Sequence, residues 1–472
     1  MPKLTHQPPG KPSGANRQSG TIPGKKGPSP ARRLALEILK RVEEKGAYSN
    51  YLLRAVLDER PVSDADRRLI TELVYGVLAH RPYLAYAVSQ YAKHAERLPA
   101  DVRRILYLAF YQLLFLTRIP PYAVLSETLA LVDTAGFTPL KKVVNGILRT
   151  YLREPERVRL PEGDDPEALS LRYGVPQWLL EVWRERYGDE ELLRLLATLD
   201  VPPPLNFRVN LLRVDREFVR QSLLDRGYTV EHGRLVPEAL RLKGRGFPPR
   251  EFLDRGWITI QDEAAMFVVH VLDPRPGERI LDCCSAPGGK ATFAAERMRD
   301  TGEVVAVDVH ESRVRRIREE VERLGLSIVV PTVRDGRDLP RAYGREFDRV
   351  LVDAPCSGLG TIRRRPELRY RHTPESVREL AALQRELLDA AAQIVRPGGV
   401  LVYSTCTLTP DENEGVVREV LARNPALKLD EEGMASFVPA VLRKRIRMPG
   451  TLEILPQDLD VDGFFIARFR VW

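Results

Sequence analysis

The apolar positions of this chain follow two rhythms, and the change between them divides it. Over residues 31–155 they recur at helical spacing, as in Leu34, Ile38, Leu39 and Val42, and again in Ile105, Leu106, Ala109 and Leu113. Gly46 stands where the first helix should end, and Ser63 before Asp64 and Asp66 reads as a helix N-cap. Pro120 and Pro121 break the period, and no alternating strand pattern intrudes, so an all-α domain is predicted. Residues 156–170 are charged and proline-bearing, which suits a linker. Residues 171–260 are mixed. Trp178–Leu196 is helical in pattern, and after Pro202–Pro204 the stretch Leu205–Leu211 alternates like a strand, which predicts a small α/β subdomain.

From residue 261 to 472 the rhythm changes. Short apolar runs rich in β-branched residues (RILDCC, EVVAVDV, IVVPTV, FDRVLVD, GGVLVYST) alternate with amphipathic helical stretches, and DGFFIARFRV reads as a last strand. Runs apolar on both faces, in βαβα order, predict a doubly wound parallel sheet covered by helices on both sides.

A chain of 472 residues is too long for one ordinary core, in keeping with these divisions. No apolar run is long enough to span a membrane and no apolar leader opens the chain, so no membrane association is expected. The net charge of +8 suits a polyanionic partner. Much of the early charge lies in residues 1–30, a Pro-, Gly- and Ser-rich stretch that carries Lys3, Lys11, Arg17, Lys25 and Lys26 and no acid. It reads as a disordered basic tail, either a solubilising leader or a loose hold on RNA phosphates. The four cysteines, Cys283, Cys284, Cys356 and Cys406, make neither a disulfide framework nor a zinc spacing. No metal is expected, and a cytoplasmic setting is the simplest reading.

The candidate chemistry sits at the ends of the predicted strands. DCCSAPGGK, Asp282 to Lys290, joins a strand to a helix, and Gly288 and Gly289 let a ligand approach the backbone. Asp308 ends the next strand, where an acid can accept from ribose hydroxyls. The GxGxxG of a nicotinamide dehydrogenase is absent, which removes that class. Asp335, after the third strand, stands where a carboxylate can reach an adenine amino group or simply cap a turn. Asp353-Ala354-Pro355-Cys356 and Ser404-Thr405-Cys406 each follow an apolar strand. In a parallel sheet both ends open on one edge, so two thiols should face one cleft. A thiolate that adds to carbon 6 of a cytosine makes carbon 5 nucleophilic enough to accept a methyl group. The ring then needs a donor near N3, for which a protonated Asp353 and Lys290 are both candidates.

At these residues the chain resembles the RNA cytosine-5 methyltransferase family, and within it the bacterial 16S ribosomal RNA methyltransferase B branch, also called Sun or Fmu. YSNYLL, DRRLITELVYGVL, RIPPYAVLSETLAL and VVNGILR resemble the NusB-like helical domain of that branch. DCCSAPGGK, VAVDVHESR, DGRD, VLVDAPCSGLGTIRRRPE, GGVLVYSTCTLTPDENE and DGFF resemble the family's methyltransferase motifs. The resemblance covers nearly the whole chain. It implies an all-α NusB-like, RNA-binding N-terminal domain followed by an α/β Rossmann-like methyltransferase domain with the small α/β subdomain before it. The implied cofactor is S-adenosyl-L-methionine, leaving S-adenosyl-L-homocysteine, and the implied partner is 16S ribosomal RNA, with a transfer RNA as the competing substrate. A monomer is expected.

The same resemblance assigns roles. Cys284, Ser285, Ala286, Pro287, Gly288, Gly289 and Lys290 would line the cofactor loop. Asp308 would hold the ribose, Asp335 would lie beside the adenine, and Asp353 would sit between cofactor and target base. The family's attacking thiol follows Ser-Thr, which makes Cys406 the nucleophile and leaves Cys356 to assist release. DNA cytosine methyltransferases use the Pro-Cys thiol instead, so this assignment is the family's and not the chemistry's. Arg363, Arg364 and Arg365 are expected to bind RNA phosphates near the target base. The alternative is a binding protein with a decayed catalytic domain, against which the intact set of Cys406, Cys356, Asp353 and Lys290 argues.

Overall fold

In the computed structural model the described residues are 27–244 and 246–472. The expected basic tail therefore lies outside them as far as Lys26. The described chain forms two units: one runs to Glu181 and takes in residues 365–369, and the other holds the remainder.

The first unit is helical. Pro30–Lys45 ends at Gly46 in the left-handed conformation, and Asp64–Ala79 starts at Ser63, whose hydroxyl accepts from Asp66 N–H, both as the sequence predicts. Helices Ser49–Glu59, Arg81–Ser89, Ala100–Phe115, Pro121–Thr134 and Lys141–Arg153 complete the bundle around Ile38, Leu73, Leu106, Phe110 and Leu148. The stretch 156–170, expected as a linker, ends inside a further helix, Pro166–Tyr173. Its charge and proline density has a local cause: Asp165 caps that helix by accepting from Glu167 and Ala168 N–H, and Pro166 takes the first helical position.

The five residues 365–369 arrive in this unit from far downstream. Ser49 donates through both N–H and hydroxyl to the buried Glu367 carboxylate, at 2.8 and 2.6 Å. Arg369 donates to the carbonyls of Ala79 and Tyr173, and the Arg365 guanidinium lies over the rings of Tyr48 and Tyr51.

The second unit has two sheets. The smaller contains β1 (Leu205–Val209), β2 (Thr229–His232), β3 (Ala239–Lys243) and β4 (Ile258–Ile260), antiparallel in the order β2-β3-β1-β4. The larger contains β5 (Arg279–Asp282), β6 (Glu303–Asp308), β7 (Val329–Val333), β8 (Phe347–Asp353), β9 (Val395–Thr405), β10 (Leu427–Leu429), β11 (Thr451–Ile454) and β12 (Phe464–Val471). Its order is β10-β12-β9-β8-β5-β6-β7, with β11 paired to β12. The strands from β5 to β9 are parallel; β10, β11 and β12 pair antiparallel, so the sheet is mixed where a wholly parallel one is expected.

Period-two alternation splits each strand between two cores. Val304, Ala306, Leu351 and Val402 join the core on one face, and Val305, Val307, Val350, Val352 and Leu401 join the other. The chain order reverses between β5 and β8, and the carboxyl ends of parallel strands at such a point frame a crevice. Among the described residues no helix is long and apolar enough to cross a membrane.

Candidate active site

Asp282 ends β5, Asp308 ends β6, Asp353 ends β8, and Ser404-Thr405 end β9. Register fixes their spacing, because Asp353 pairs with Ser404 across the β8–β9 ladder. Cys356 follows three residues after Asp353, and Cys406 follows directly on Thr405, so the two thiols converge with their sulfurs 3.4 Å apart.

The turn after β5 is pinned at both ends. Ser285 N–H donates to the Val307 carbonyl and Gly288 N–H to that of Ser285, at 2.8 and 2.7 Å. Gly288 takes φ 102°, a backbone that favours glycine, and a helix starts at Gly289. Beneath the turn lies Arg208, which the sequence reading does not single out. It donates to the Gly289 carbonyl at 2.9 Å and to both oxygens of Glu296 at 2.9 and 2.8 Å.

Two buried polar atoms here, Asp282 Oδ1 and Ser285 Oγ, have no hydrogen-bond partner among the described residues. Buried groups are nearly always satisfied, so a pair of orphans marks room for a polar ligand. Asp308 is buried, with one oxygen accepting from His310 N–H at 3.0 Å. A glycine turn, two orphan polar atoms and a strand-end acid together fit a nucleoside with a charged tail. Asp335 caps a short helical turn and is gripped by Arg337 at 2.7 Å, which holds its carboxyl below the usual range. Cys284 is pushed well up, first by Cys283 beside it and then by burial, which keeps a neutral thiol in the turn.

Electrostatics separates the strand-end groups. Burial pulls the Lys290 ammonium down, but Asp353, which accepts from Nζ at 2.6 Å, outweighs it with help from Asp282 and Cys406, and the pKa ends above its ordinary value. Asp353 accepts at its other oxygen from the Ser404 hydroxyl at 2.7 Å. Asp282 lies deeper; burial first, then the charge of Asp353, raise it to about 7. The Cys356 thiol is pushed well up by the Cys406 sulfur against it, by burial and by the charge of Glu412. Lysine charge thus faces Cys406, and carboxylate charge faces Cys356.

The sequence-predicted set of Cys284 to Lys290, Asp308, Asp353, Cys356 and Cys406 gathers along this one sheet edge, and Asp335 follows β7 on the same edge. The three arginines are elsewhere engaged. Arg363 donates to the Val201 carbonyl and Asp460 with its side chain 1% exposed. Arg364 is held by Asp462 and Asp262, at 2.8 Å each, and by the Pro204 carbonyl. Arg365 stacks on tyrosines in the helical unit. Two guanidiniums committed to internal carboxylates are not a phosphate clamp, so that role is not carried forward for Arg363 and Arg364.

The sequence alone assigns no role to Asp282, Glu412 or Gln384. Asp282 was detectable, since it ends its strand as Asp308 and Asp353 end theirs. Glu412 and Gln384 carry no comparable signal.

Comparison with known proteins gives three matching family models along the chain: NusB family at residues 29–153, the ferredoxin-like domain of RsmF/B-like methyltransferases at 175–246, and 16S rRNA methyltransferase RsmB/F at 269–470. The probable ribosomal RNA small subunit methyltransferase B of Bacillus subtilis is 36% identical over 440 residues, 93% of this chain and 98% of that protein. The crystal structure of PH0851 superposes with a TM-score of 0.82 at 28% identity, covering 94% of this chain and all of that one. NSun6 from Pyrococcus horikoshii, solved with the S-adenosylmethionine analogue SFG, matches at a TM-score of 0.55 and 25% identity over 63% of this chain and 98% of that one.

Proposed function

The chain belongs to the family of 16S rRNA methyltransferases RsmB/F, and on that premise we propose that it methylates carbon 5 of a cytosine in 16S ribosomal RNA with Cys406 as covalent nucleophile. The observation that carries this reading is the unequal pair of thiols beside Lys290 and Asp353. The β5 turn and Asp308 would hold S-adenosylmethionine, which would supply the methyl group when bound.

The protein's own groups do the rest. Cys406 faces the Lys290 ammonium, and a thiolate next to fixed positive charge is the reactive form. Its sulfur bonds to carbon 6 of the ring, and the electron pair of the 5,6 double bond becomes available at carbon 5. The charge that builds toward N3 is met by Lys290, which Asp353 orients and keeps protonated. Ser404 fixes Asp353 from its other side. Once carbon 5 has used its electron pair to take the methyl group, a base from solvent takes the carbon 5 proton; the pair of that bond re-forms the 5,6 double bond, and the carbon–sulfur pair returns to Cys406 as the bond breaks. Cys356, still a neutral thiol 3.4 Å away, hydrogen-bonds the departing Cys406 sulfur and favours release.

The test is methyl transfer to 16S rRNA transcripts, with 5-methylcytosine mapped by sequencing, alongside denaturing gels for protein–RNA adducts. Wild type should give one modified cytosine and a trapped adduct on RNA carrying 5-fluorocytosine. Cys406→Ala should give neither product nor adduct, and Cys356→Ala should accumulate adduct on ordinary RNA. A trapped adduct in Cys406→Ala but not in Cys356→Ala reverses the two assignments. Methylation of another base or atom removes the cytosine reading altogether.

A further inference from the structure

Glu412 is fully buried, and among the described residues it forms no ion pair. An unpaired carboxylate is expensive to bury, and it persists only where donors replace water at both oxygens. Here four do. Oε1 accepts from Ser357 N–H at 2.8 Å and Gln384 Nε2 at 3.0 Å. Oε2 accepts from the hydroxyls of Ser357 at 2.5 Å and Thr409 at 2.7 Å.

We propose that Glu412 is a positioning residue for both thiols: its carboxylate bridges the loop that carries Cys356 to the loop that follows Cys406, and so sets which sulfur attacks. This deepens the covalent reading above and rests on it. Gln384, held by Glu412, also donates to the Pro355 carbonyl at 2.8 Å, so the residues on either side of Cys356 are both fixed. The neighbouring Asn413 accepts from the Thr405 hydroxyl at 2.6 Å and donates to the Thr407 carbonyl at 3.1 Å, which fixes the residues on either side of Cys406. Tyr403 closes the frame by donating to the Glu412 carbonyl at 2.6 Å. The 3.4 Å separation of the sulfurs is a product of this frame.

The charge has its own effect. Glu412 lies on the Cys356 side and adds to what holds that thiol protonated, whereas Lys290 faces Cys406. Two cysteines in one cleft would otherwise compete for the same role.

The experiment compares full-length Glu412→Gln and Glu412→Ala with wild type. Glutamine keeps the shape: its oxygen can face Ser357 N–H and Gln384, while its NH2 faces hydroxyls that rotate to accept. Alanine removes the bridge. The first readout needs no RNA: alkylation of Cys356 and Cys406 by iodoacetamide, followed by peptide mass spectrometry. The second is methylation of the 16S transcript, resolved into kcat and KM. In Glu412→Gln the Cys356 labelling rate should rise about fivefold while Cys406 stays near wild type, because lost carboxylate charge releases more thiolate. In Glu412→Ala kcat should fall about a hundredfold with KM and cofactor affinity within about twofold, and Glu412→Gln should recover at least about tenfold of that loss.

Unchanged labelling in Glu412→Gln overturns the proposal, and that result stands even if Glu412→Ala fails to fold. So does a Glu412→Ala enzyme with near-wild-type kcat. Altered thiol labelling in a protein whose wild type modifies no cytosine keeps the bridge and removes the cytosine reading, so the two failures are told apart.

Discussion

Adding one methyl group at Gly360 should disable turnover while leaving the fold and the cofactor turn alone. Gly360 N–H donates to the Cys406 carbonyl, and its own carbonyl accepts from Gly463 N–H, both at 2.9 Å, so three backbone segments cross at this point. A Cβ on Gly360 would lie 2.1 Å from the Gly463 carbonyl oxygen and 2.8 Å from that of Cys406. None of these atoms belongs to a flexible side chain, so the backbones must part by about 1 Å. Overpacking of this kind costs about 1–3 kcal/mol, which a protein of this size tolerates. A 1 Å displacement of a reacting group costs about a hundredfold in rate. Gly360→Ala should therefore lower kcat by about a hundredfold, with cofactor affinity within about twofold, since the Ser285–Lys290 turn makes no part of the crossing. Gly463→Ala is the control. Its Cβ meets Gly360 Cα at 2.9 Å, and the next nearest atoms are the Leu408 methyl groups, at 3.1 and 3.2 Å, which can rotate away. Its loss should stay below about tenfold. Single-turnover methylation at saturating RNA, calorimetry with the cofactor and a thermal melt give the three numbers. A Gly360→Ala enzyme that turns over within about threefold of wild type, or equal losses in the two variants, would refute the reasoning.

Three further outcomes follow from the same geometry. Asp308→Ala should weaken cofactor binding by about 1.5–3 kcal/mol in calorimetry, the value of a charge-assisted hydrogen bond; unchanged affinity removes Asp308 from the site. Asp282 is raised to about 7, so in the ligand-free protein its share of stability is full below the ordinary carboxylate range and is lost as pH rises through about 7. Asp282→Asn should abolish that loss, worth up to about 4 kcal/mol at about 1.36 kcal/mol per pH unit, and denaturant titrations at pH 4 and pH 8 that show the same mutant-to-wild-type difference would contradict it. Arg364→Ala strands Asp262 and Asp462 and should destabilise the protein by about 2–4 kcal/mol while leaving the salt dependence of RNA binding unchanged. A flatter salt slope with no change in melting temperature would restore its role on phosphate.

Much of this is written locally in the chain. Period-two runs such as EVVAVD and FDRVLVD identify their strands because each is buried on both faces, and strand-end position then places Asp308, Asp353 and Cys406 on one edge. What escapes is set by partners distant in sequence. Arg364 looks like one of three solvated arginines until Asp262 and Asp462 come to it from about a hundred residues away on either side. Gln384 sits between Leu383 and Leu387 on an ordinary amphipathic helix, and nothing local reveals that it reaches Glu412 and the Pro355 carbonyl. Glu412 reads as one acid in a charged run, since burial and the four donors are properties of the assembled loops. The mixed edge of the large sheet was hidden because an apolar strand shows its faces and not its direction.

The piece of chain from Arg365 to Arg369 also bears on synthesis. The helical unit is nearly all made by Glu181, yet the groups that occupy Ser49, Ala79 and Tyr173 are encoded some 180 residues later. At about 5–20 residues per second the ribosome delivers them roughly 10–40 s after the rest of the unit. During that interval the N-terminal bundle waits with an unfilled seat, and the whole turn after β8 must emerge before it is taken. A fragment ending at Glu181 is thus an unfinished bundle, and the two halves of this enzyme mature together although one is translated well before the other.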